Sequence, residues 1–324
     1  MRAGKLKLVI QIPCFNEEET LSQTVADLPT VVDGFDRVEW LVIDDGSSDR
    51  TSEIAKKLGV HHVVRHRHNR GLAAAFLTGL DTALRLGADV IVNTDADNQY
   101  SGASIPDLVR PVVEEGIDLV VGERPISSIS EFSALKKCLQ KVGTWVVRRV
   151  SGTPVLDAAS GFRAMSREAA LRFQVFGHYT YTMETLVQAG WEGLVVTSVP
   201  INVNPQTRPS RLVKSIPQYV FRSAQTIVRS FVLYNPFQFF FMVGMVPFLL
   251  GSALLTRWLF YFFFAETYSS RLPGLISGIA AIFIAGQIWA VAFLADSQSA
   301  NRRVNASIRY HQRRLEIESE PSDA

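Results

Sequence analysis

Cysteine is almost missing from this chain: only Cys14 and Cys138 occur in 324 residues. Two thiols so far apart build no disulfide framework, and both read as reduced packing residues in a reducing compartment. An excess of one charge is missing too. Lysine plus arginine number 33 against 31 acidic residues, and the net charge of +2 excludes a general nucleic-acid surface. The opening MRAGKLKLVIQIP does not read as a signal peptide, because its apolar run is short and no small-residue cleavage site follows. Internal repeats are absent.

Two stretches lack charge altogether. Phe237 to Thr256 and Leu275 to Leu294 are each twenty residues without an ionisable group. A helix of that length is about 30 Å long, the thickness of a bilayer core. Trp258, Tyr261, Phe262 and Tyr268 lie between the two runs, as at a membrane interface. A buried soluble helix can be as apolar, but two in succession read as two membrane spans. Arg208, Arg211, Lys214, Arg222 and Arg229 precede the first run, and Arg302, Arg303, Arg309, Arg313 and Arg314 follow the second. The connector holds Arg257 and Arg271 against Glu266. This asymmetry predicts a multi-pass integral membrane protein with both ends, and so the polar domain, in the cytoplasm.

Up to about residue 200 the chain alternates strand and helix patterns. LKLVIQI, VEWLVID, HHVVRH, DVIVNTD and IDLVVG read as five strands. Asn16, with Glu19 three residues later, reads as a capping box opening the first helix. SSDRTSEIAKKLG reads as a helix capped by Ser48 or Asp49 and ended by Gly59, and RGLAAAFLTGLDTALRLG as a long helix. The alternation predicts an α/β fold with a mainly parallel sheet and helices on both faces. Ligands then bind beyond the carboxyl ends of the strands, where the clusters NEEE, DDGSSD and DADNQ all fall. The expected domains are residues 1–214 as the cytoplasmic domain, 215–234 as an interfacial helix, 235–296 as two spans and 297–324 as a basic and polar tail. In the second of these, Val220, Phe221, Ala224, Ile227, Val228 and Phe231 share one helical face, which suits a membrane interface or packing on the soluble domain. The terminal IESEPSDA reads as disordered.

The most informative segment is VIVNTDADNQY, Val90 to Tyr100. An apolar strand ends in Asp95 and Asp97, with Gln99 two further on. Carboxylates so placed can share a hard divalent cation that also holds a diphosphate, although most Asp-x-Asp pairs are solvated loop residues. Asp44 and Asp45 end an earlier strand before a Gly turn, where acidic side chains accept bonds from a base or ribose. Glu17 stands at a neighbouring strand end, and Asn69 and Gly71 open the long helix, whose N-terminus favours anions. His61, His62, His66 and His68 are split between strand faces and do not read as a metal site. His178 and Glu184 flank a helix start, and Glu184 suits the mouth of the site or the surface equally.

IPCFNEEE, VIDDGSSDRT, HNRGLAAAF, TDADNQY and DLVVGERP, in this order, resemble the family 2 inverting glycosyltransferases. DAASGFRAMSRE and NPQTRPSRLVKS, followed by paired spans, resemble the polyprenyl-phosphate group within that family, of which dolichol-phosphate mannose synthase is the best-known kind. The resemblance implies a GT-A fold, a nucleotide sugar linked to UDP or GDP, and Mg2+ or Mn2+ as cofactor. It implies a donor site from Pro13, Phe15, Glu17, Asp44, Asp45, Asn69, Asp95, Ala96, Asp97 and Gln99, with Asp95, Asp97 and Gln99 about the metal. Arg124 would face the phosphates, and Arg208, Arg211 and Lys214 would meet the acceptor phosphate. Asp157 falls where the family carries its candidate base. The implied acceptor is a polyprenyl phosphate, undecaprenyl or dolichyl, at a lipid surface, and a homo-oligomer is compatible with the sequence. A phosphate monoester has a second pKa of about 6, so at neutral pH it needs little help from a base, and Asp157 can orient rather than deprotonate. The alternatives are a processive or hydroxyl-acceptor transferase and a catalytically silent membrane scaffold. The Gln-x-x-Arg-Trp string of processive members is missing, since Gln206 is followed by Thr-Arg-Pro, and a scaffold gains nothing from clustered carboxylates.

Overall fold

The structure is a computed structural model. It describes residues 6–125, 134–175, 181–205, 235–264 and 272–319, with scattered positions between 221 and 232. The chain forms two compact units, 1–227 with 309–324, and 228–308.

The first unit is built on a seven-stranded sheet in the order β3-β2-β1-β4-β6-β5-β7. Its strands are β1 (Lys7–Cys14), β2 (Arg37–Asp44), β3 (His62–Arg65), β4 (Val90–Asn93), β5 (Leu119–Glu123), β6 (Arg163–Ser166) and β7 (Val196–Pro200). The helices between them are α1 (Leu21–Asp27), α2 (Thr51–Lys57), α3 (Leu72–Arg85), α4 (Ile105–Glu114), α5 (Ala134–Ser151), α6 (Arg167–Arg172) and α7 (Thr182–Glu192). Alternation along the strands divides the core. Leu8, Ile10, Ile12, Val42, Val90 and Val92 pack on one face with α1 and α4, and Val9, Leu41, Ile43 and Ile91 pack on the other with α3 and α6. Strands covered on both faces read as continuous apolar runs, which is why KLVIQIPC and VIVN look as they do.

The five strands expected from the sequence are present, in a mostly parallel sheet. β6 is the exception: it runs antiparallel to both β4 and β5, pairing Asn93 with Arg163 and Val121 with Arg163. A reversed strand begins at the edge where its neighbours end. The loop before β6, residues 157–162, therefore lies at the same edge as the carboxyl ends of β1, β2, β4 and β5. β7 is parallel to β5 and ends there too.

The capping box at Asn16 and Glu19 does not form. Helix α1 starts four residues later, with Thr20 as its N-cap. Asn16 is in the left-handed region (φ 56°), and its side-chain oxygen instead accepts a bond from Ser48 N at 2.8 Å. Joining two loops at the sheet edge outweighs the local cap. The N-cap of α2 is Arg50 rather than Ser48 or Asp49, without a side-chain cap bond; Asp49, one residue earlier, accepts from Thr51 N at 3.0 Å, and Gly59 follows the helix with φ 74°.

The second unit holds α8 (Pro236–Phe264) and, up to residue 308, the helix α9 (Leu272–Ser319); these contain both uncharged runs and are long and apolar enough to cross a membrane. They meet through small residues: a Cβ at Gly251 would lie 2.8 Å from Gly278 O, and the Trp289 indole covers Gly244 and donates to Phe241 O at 3.2 Å.

α9 continues to Ser319, and residues from Arg309 onward belong to the first unit. Ile317 is buried in the core cluster, Tyr310 donates to Glu168 at 2.8 Å, and Arg313 donates to the carbonyls of Ala170 and Leu171 at the end of α6. Of the terminal IESEPSDA, Ile317–Ser319 continue the helix, and the rest lies outside the described residues.

Candidate active site

The strand order reverses between β1 and β4, and the site forms beyond that point. Asp44 ends β2 fully buried. It accepts from Ser47 N at 2.8 Å and from the Ser52 hydroxyl, with Arg65 Nε at 3.4 Å. Asp45 faces the other way and holds the HNRG loop, accepting from Arg70 N (2.9 Å), Gly71 N (2.8 Å) and His66 Nδ1 (2.7 Å). Asn69 is exposed on that loop. Gly46 has φ 72°, and a Cβ there would meet the His68 carbonyl carbon at 2.5 Å, so the turn requires glycine. Pro13 is buried at the end of β1, Phe15 is exposed beside it, and Glu17 accepts from the Thr20 hydroxyl at 2.7 Å.

Asp95, Ala96, Asp97 and Gln99 form the loop after β4. Ala96 is buried, and its carbonyl accepts from Thr24 Oγ1 at 2.9 Å. Asp97 Oδ1 accepts from Gln99 N at 3.1 Å. Burial, then the Asp97 carboxylate, raise the Asp95 pKa to about 7, against the opposing pull of Arg124 and Arg163. Arg124 and Asp157 meet directly: Nε lies 2.6 Å from Oδ2 and NH2 3.0 Å from Oδ1. Arg124 is therefore bound to a carboxylate rather than displayed alone toward phosphates, and Asp157 is a buried half of an ion pair.

Several residues that hold this arrangement were not singled out from the sequence. Arg163 is fully buried and donates to Ser160 O (2.8 Å), Ala158 O (3.1 Å) and Thr185 Oγ1 (2.8 Å), fastening the loop that carries Asp157. Burial lowers its pKa to about 10, so it remains charged at neutral pH. Asn93 donates to Gly161 O (2.9 Å) and Tyr181 OH (2.7 Å) and accepts from Gln11 Nε2 (2.8 Å). Tyr181 stacks on Phe76 with ring centroids 3.9 Å apart. The available signal was polar residues inside apolar strands, Gln11 in VIQI and Asn93 in VIVN.

Two of the histidines pair with carboxylates, His62 with Glu39 and His66 with Asp45. Among the described residues no three histidine, cysteine, aspartate or glutamate side chains gather to hold a metal by themselves. Glu184 is buried, so its surface reading is corrected. Cys14 is a free, buried thiol whose pKa burial raises. The Cys138 side chain, His178, Arg208, Arg211, Lys214 and most of the expected interfacial helix lie outside the described residues.

The glycosyl transferase family 2 model matches residues 9–172, which run from β1 through the site loops to the end of α6. The chain belongs to this family of glycosyltransferases. Among related glycosyltransferases, UDP-N-acetylglucosamine–dolichyl-phosphate N-acetylglucosaminyltransferase of Methanococcus voltae is 31% identical, the match covering 61% of this chain and 86% of that protein. Polyprenol monophosphomannose synthase of Mycolicibacterium smegmatis is also 31% identical, over 62% of this chain and 78% of that one. Glucosyl-3-phosphoglycerate synthase of Mycobacterium tuberculosis, solved with Mn2+, UDP-glucose and phosphoglyceric acid, aligns with TM-score 0.56 over 71% of this chain and 79% of that one. At 22% identity that likeness establishes the GT-A-like fold alone.

Proposed function

We propose that this glycosyltransferase moves a hexose-type sugar from a nucleotide sugar to a polyprenyl phosphate at the cytoplasmic face of a membrane. The observation that carries the reading is the placement of Asp95 and Asp97 at one sheet edge with the Arg124–Asp157 pair, in a chain with two helices able to span a bilayer. The names of the relatives from Methanococcus voltae and Mycolicibacterium smegmatis support the acceptor class.

Asp44 suits the base or ribose, with Pro13, Phe15, Glu17, Asp45 and Asn69 around it. Asp95 and Asp97, with Gln99, fit a divalent cation, because a carboxylate pair that holds one member partly protonated gains most from a cation. Two carboxylates with the remaining positions left to substrate phosphates is a usual arrangement for Mg2+ or Mn2+. Bound there, the cation would take up charge developing on the leaving diphosphate. An oxygen of the acceptor phosphate attacks the anomeric carbon, the bond from that carbon to the diphosphate breaks, and the nucleoside diphosphate leaves with inversion. The acceptor is already ionised at neutral pH, so Asp157, held in an ion pair, orients Arg124 and the reactants rather than taking a proton.

The segment after β7 leads to the basic cluster. Asn204 N donates to Gln99 O at 2.9 Å, and Tyr100 forms a β-bridge with Val203. Arg208, Arg211 and Lys214 follow Asn204 in sequence and precede the first apolar helix, and that order supports a lipid phosphate as the group they meet.

The test is to incubate membranes holding the full chain with labelled UDP- and GDP-sugars, supplying polyprenyl phosphate or the free polyprenol, and to extract the lipid. Label in the phosphate lipid is expected. Label in the alcohol, with the phosphate unused, would replace this reading with the hydroxyl-acceptor one.

A further inference from the structure

We propose that the hydrogen bond from Gly161 N to the Tyr100 phenol joins the Asp95–Gln99 loop to the Asp157 loop as one unit, and that Tyr100 is a positioning residue for sugar transfer. The inference rests on the functional reading above.

Tyr100 is the residue after Gln99, and its side chain leaves the Asp95–Gln99 loop for the other one. Its hydroxyl oxygen accepts from Gly161 N at 3.1 Å, and its ring stacks on Phe162 with centroids 5.1 Å apart and planes 8° from parallel. Only 5% of Tyr100 is exposed, and its phenol lies in the field of Arg124, Asp95 and Asp157, charges from both loops.

The Gly161 peptide is gripped on its other side as well, its carbonyl accepting from Asn93 Nδ2 at 2.9 Å and Tyr181 OH at 3.3 Å. Asn93 stands two residues before Asp95, so this contact again ties β4 and its loop to residue 161. Gly161 also faces the carboxylate itself: a Cβ there would lie 3.0 and 3.1 Å from the two Asp95 oxygens. Asp157 is four residues earlier, and Arg163 pins the residues between through Ala158 O and Ser160 O. The spacing between Asp95 and Asp157 is thus set by a chain of bonds in which buried Tyr100 is one link. Transfer needs donor and acceptor groups in line within a few tenths of an ångström, and a loosened loop loses that alignment before it loses binding.

Tyr100→Phe removes the hydroxyl and keeps the ring stack, so the fold should survive. The full-length protein in detergent would be assayed with Mn2+, nucleotide sugar and polyprenyl phosphate, as wild type, Tyr100→Phe, Asp157→Asn and the double variant. Transfer by the wild type tests the functional reading; if another acceptor is used, the same four proteins are compared with that one. For Tyr100→Phe, kcat should fall roughly tenfold while the donor KM changes less than about twofold. In the Asp157→Asn background the same change should cost less than about twofold, because the group it positions is already altered. Mn2+ binding followed by electron paramagnetic resonance should be kept in Tyr100→Phe and weakened in Gly161→Ala, whose methyl group meets Asp95. Equal losses from Tyr100→Phe in both backgrounds, or a loss confined to donor KM, would overturn the coupling. If Tyr100→Phe melts well below wild type, Asn93→Ser, which removes one of the two donors to the Gly161 carbonyl and loosens the same loop junction, takes its place in the same cycle with the same two outcomes.

Discussion

Arg124 and Asp157 form a two-bond ion pair, 2.6 and 3.0 Å, between the end of β5 and the loop before β6. The pair joins two residues that, taken singly, suggest a phosphate-binding arginine and a general base. Its exposures of 11% for Arg124 and 1% for Asp157 make it a largely dry contact. Breaking a buried pair from one side costs about 3–5 kcal/mol, because the other charge is left without compensation.

The two single replacements should therefore differ by acceptor chemistry. Asp157→Asn loses the pair's charge but keeps an acceptor for Arg124, and with an ionised phosphate as nucleophile it should retain measurable transfer above about pH 7. Arg124→Ala strands a buried carboxylate and should lower both activity and melting temperature. Complete loss in Asp157→Asn across the whole pH range, in a protein that melts like wild type, would restore Asp157 as a base.

The cation proposed for Asp95 and Asp97 has a pH signature. Burial and Asp97 raise the Asp95 pKa to about 7, so between about pH 4 and 7 the folded, metal-free protein holds a proton that the unfolded chain has released. Stability without metal should fall as pH rises through that window. A divalent cation must displace the proton, so Mn2+ affinity should rise by up to roughly tenfold per pH unit below about pH 7 and level off above it. Titration calorimetry in two buffers of different ionisation enthalpy reads the released proton directly. Asp95→Asn should remove the slope, and a wild-type affinity equal at about pH 5.5 and 7.5 would exclude Asp95 from the site.

The alternation of strands and the carboxylates after β2 and β4 were legible because each signal is local: a run of apolar residues, then an acid at its end. β6 was not, since four residues, Arg163–Ser166, with an arginine first do not look like a buried strand. Its reversed direction depends on pairing with β4 and β5, far away in sequence. That one strand accounts for most of what was missed, because it brings Asp157 to Arg124 and Gly161 to Tyr100. The capping box failed for the opposite reason: a correct local pattern at Asn16 was overridden by a bond to Ser48 across the site.

Topology is tested by labelling. The positive residues lie outside the two uncharged runs, so a membrane-impermeant thiol reagent applied to intact cells should react with Ser269→Cys. It should spare cysteines introduced at Arg50 or Arg314, both exposed in the structure. Reaction at Arg50→Cys from outside would place the donor site away from the nucleotide-sugar supply.

The last turns of α9 supply the remaining prediction. Arg309 donates to Gln174 at 3.3 Å, Tyr310 to Glu168 at 2.8 Å, and the Arg172 guanidinium lies over the Tyr310 ring at 4.9 Å. Arg313 reaches Asp81 on α3 at 3.3 Å and the α6 carbonyls at 3.2 and 3.4 Å. Asp81 is 42% exposed, so the charge pair contributes little; the carbonyl bonds and the buried Ile317 carry the seat. Ile317→Ala should cost about 2 kcal/mol, the low end for a core isoleucine because it lies at the rim of the cluster. Arg313→Ala should cost about 1 kcal/mol through two weakened carbonyl bonds. Together they should release the helix end, so that trypsin cleaves after Arg309 and Arg314 in folded protein where wild type resists. Equal cleavage in wild type and double variant would mean that this segment is not seated on the catalytic domain in solution.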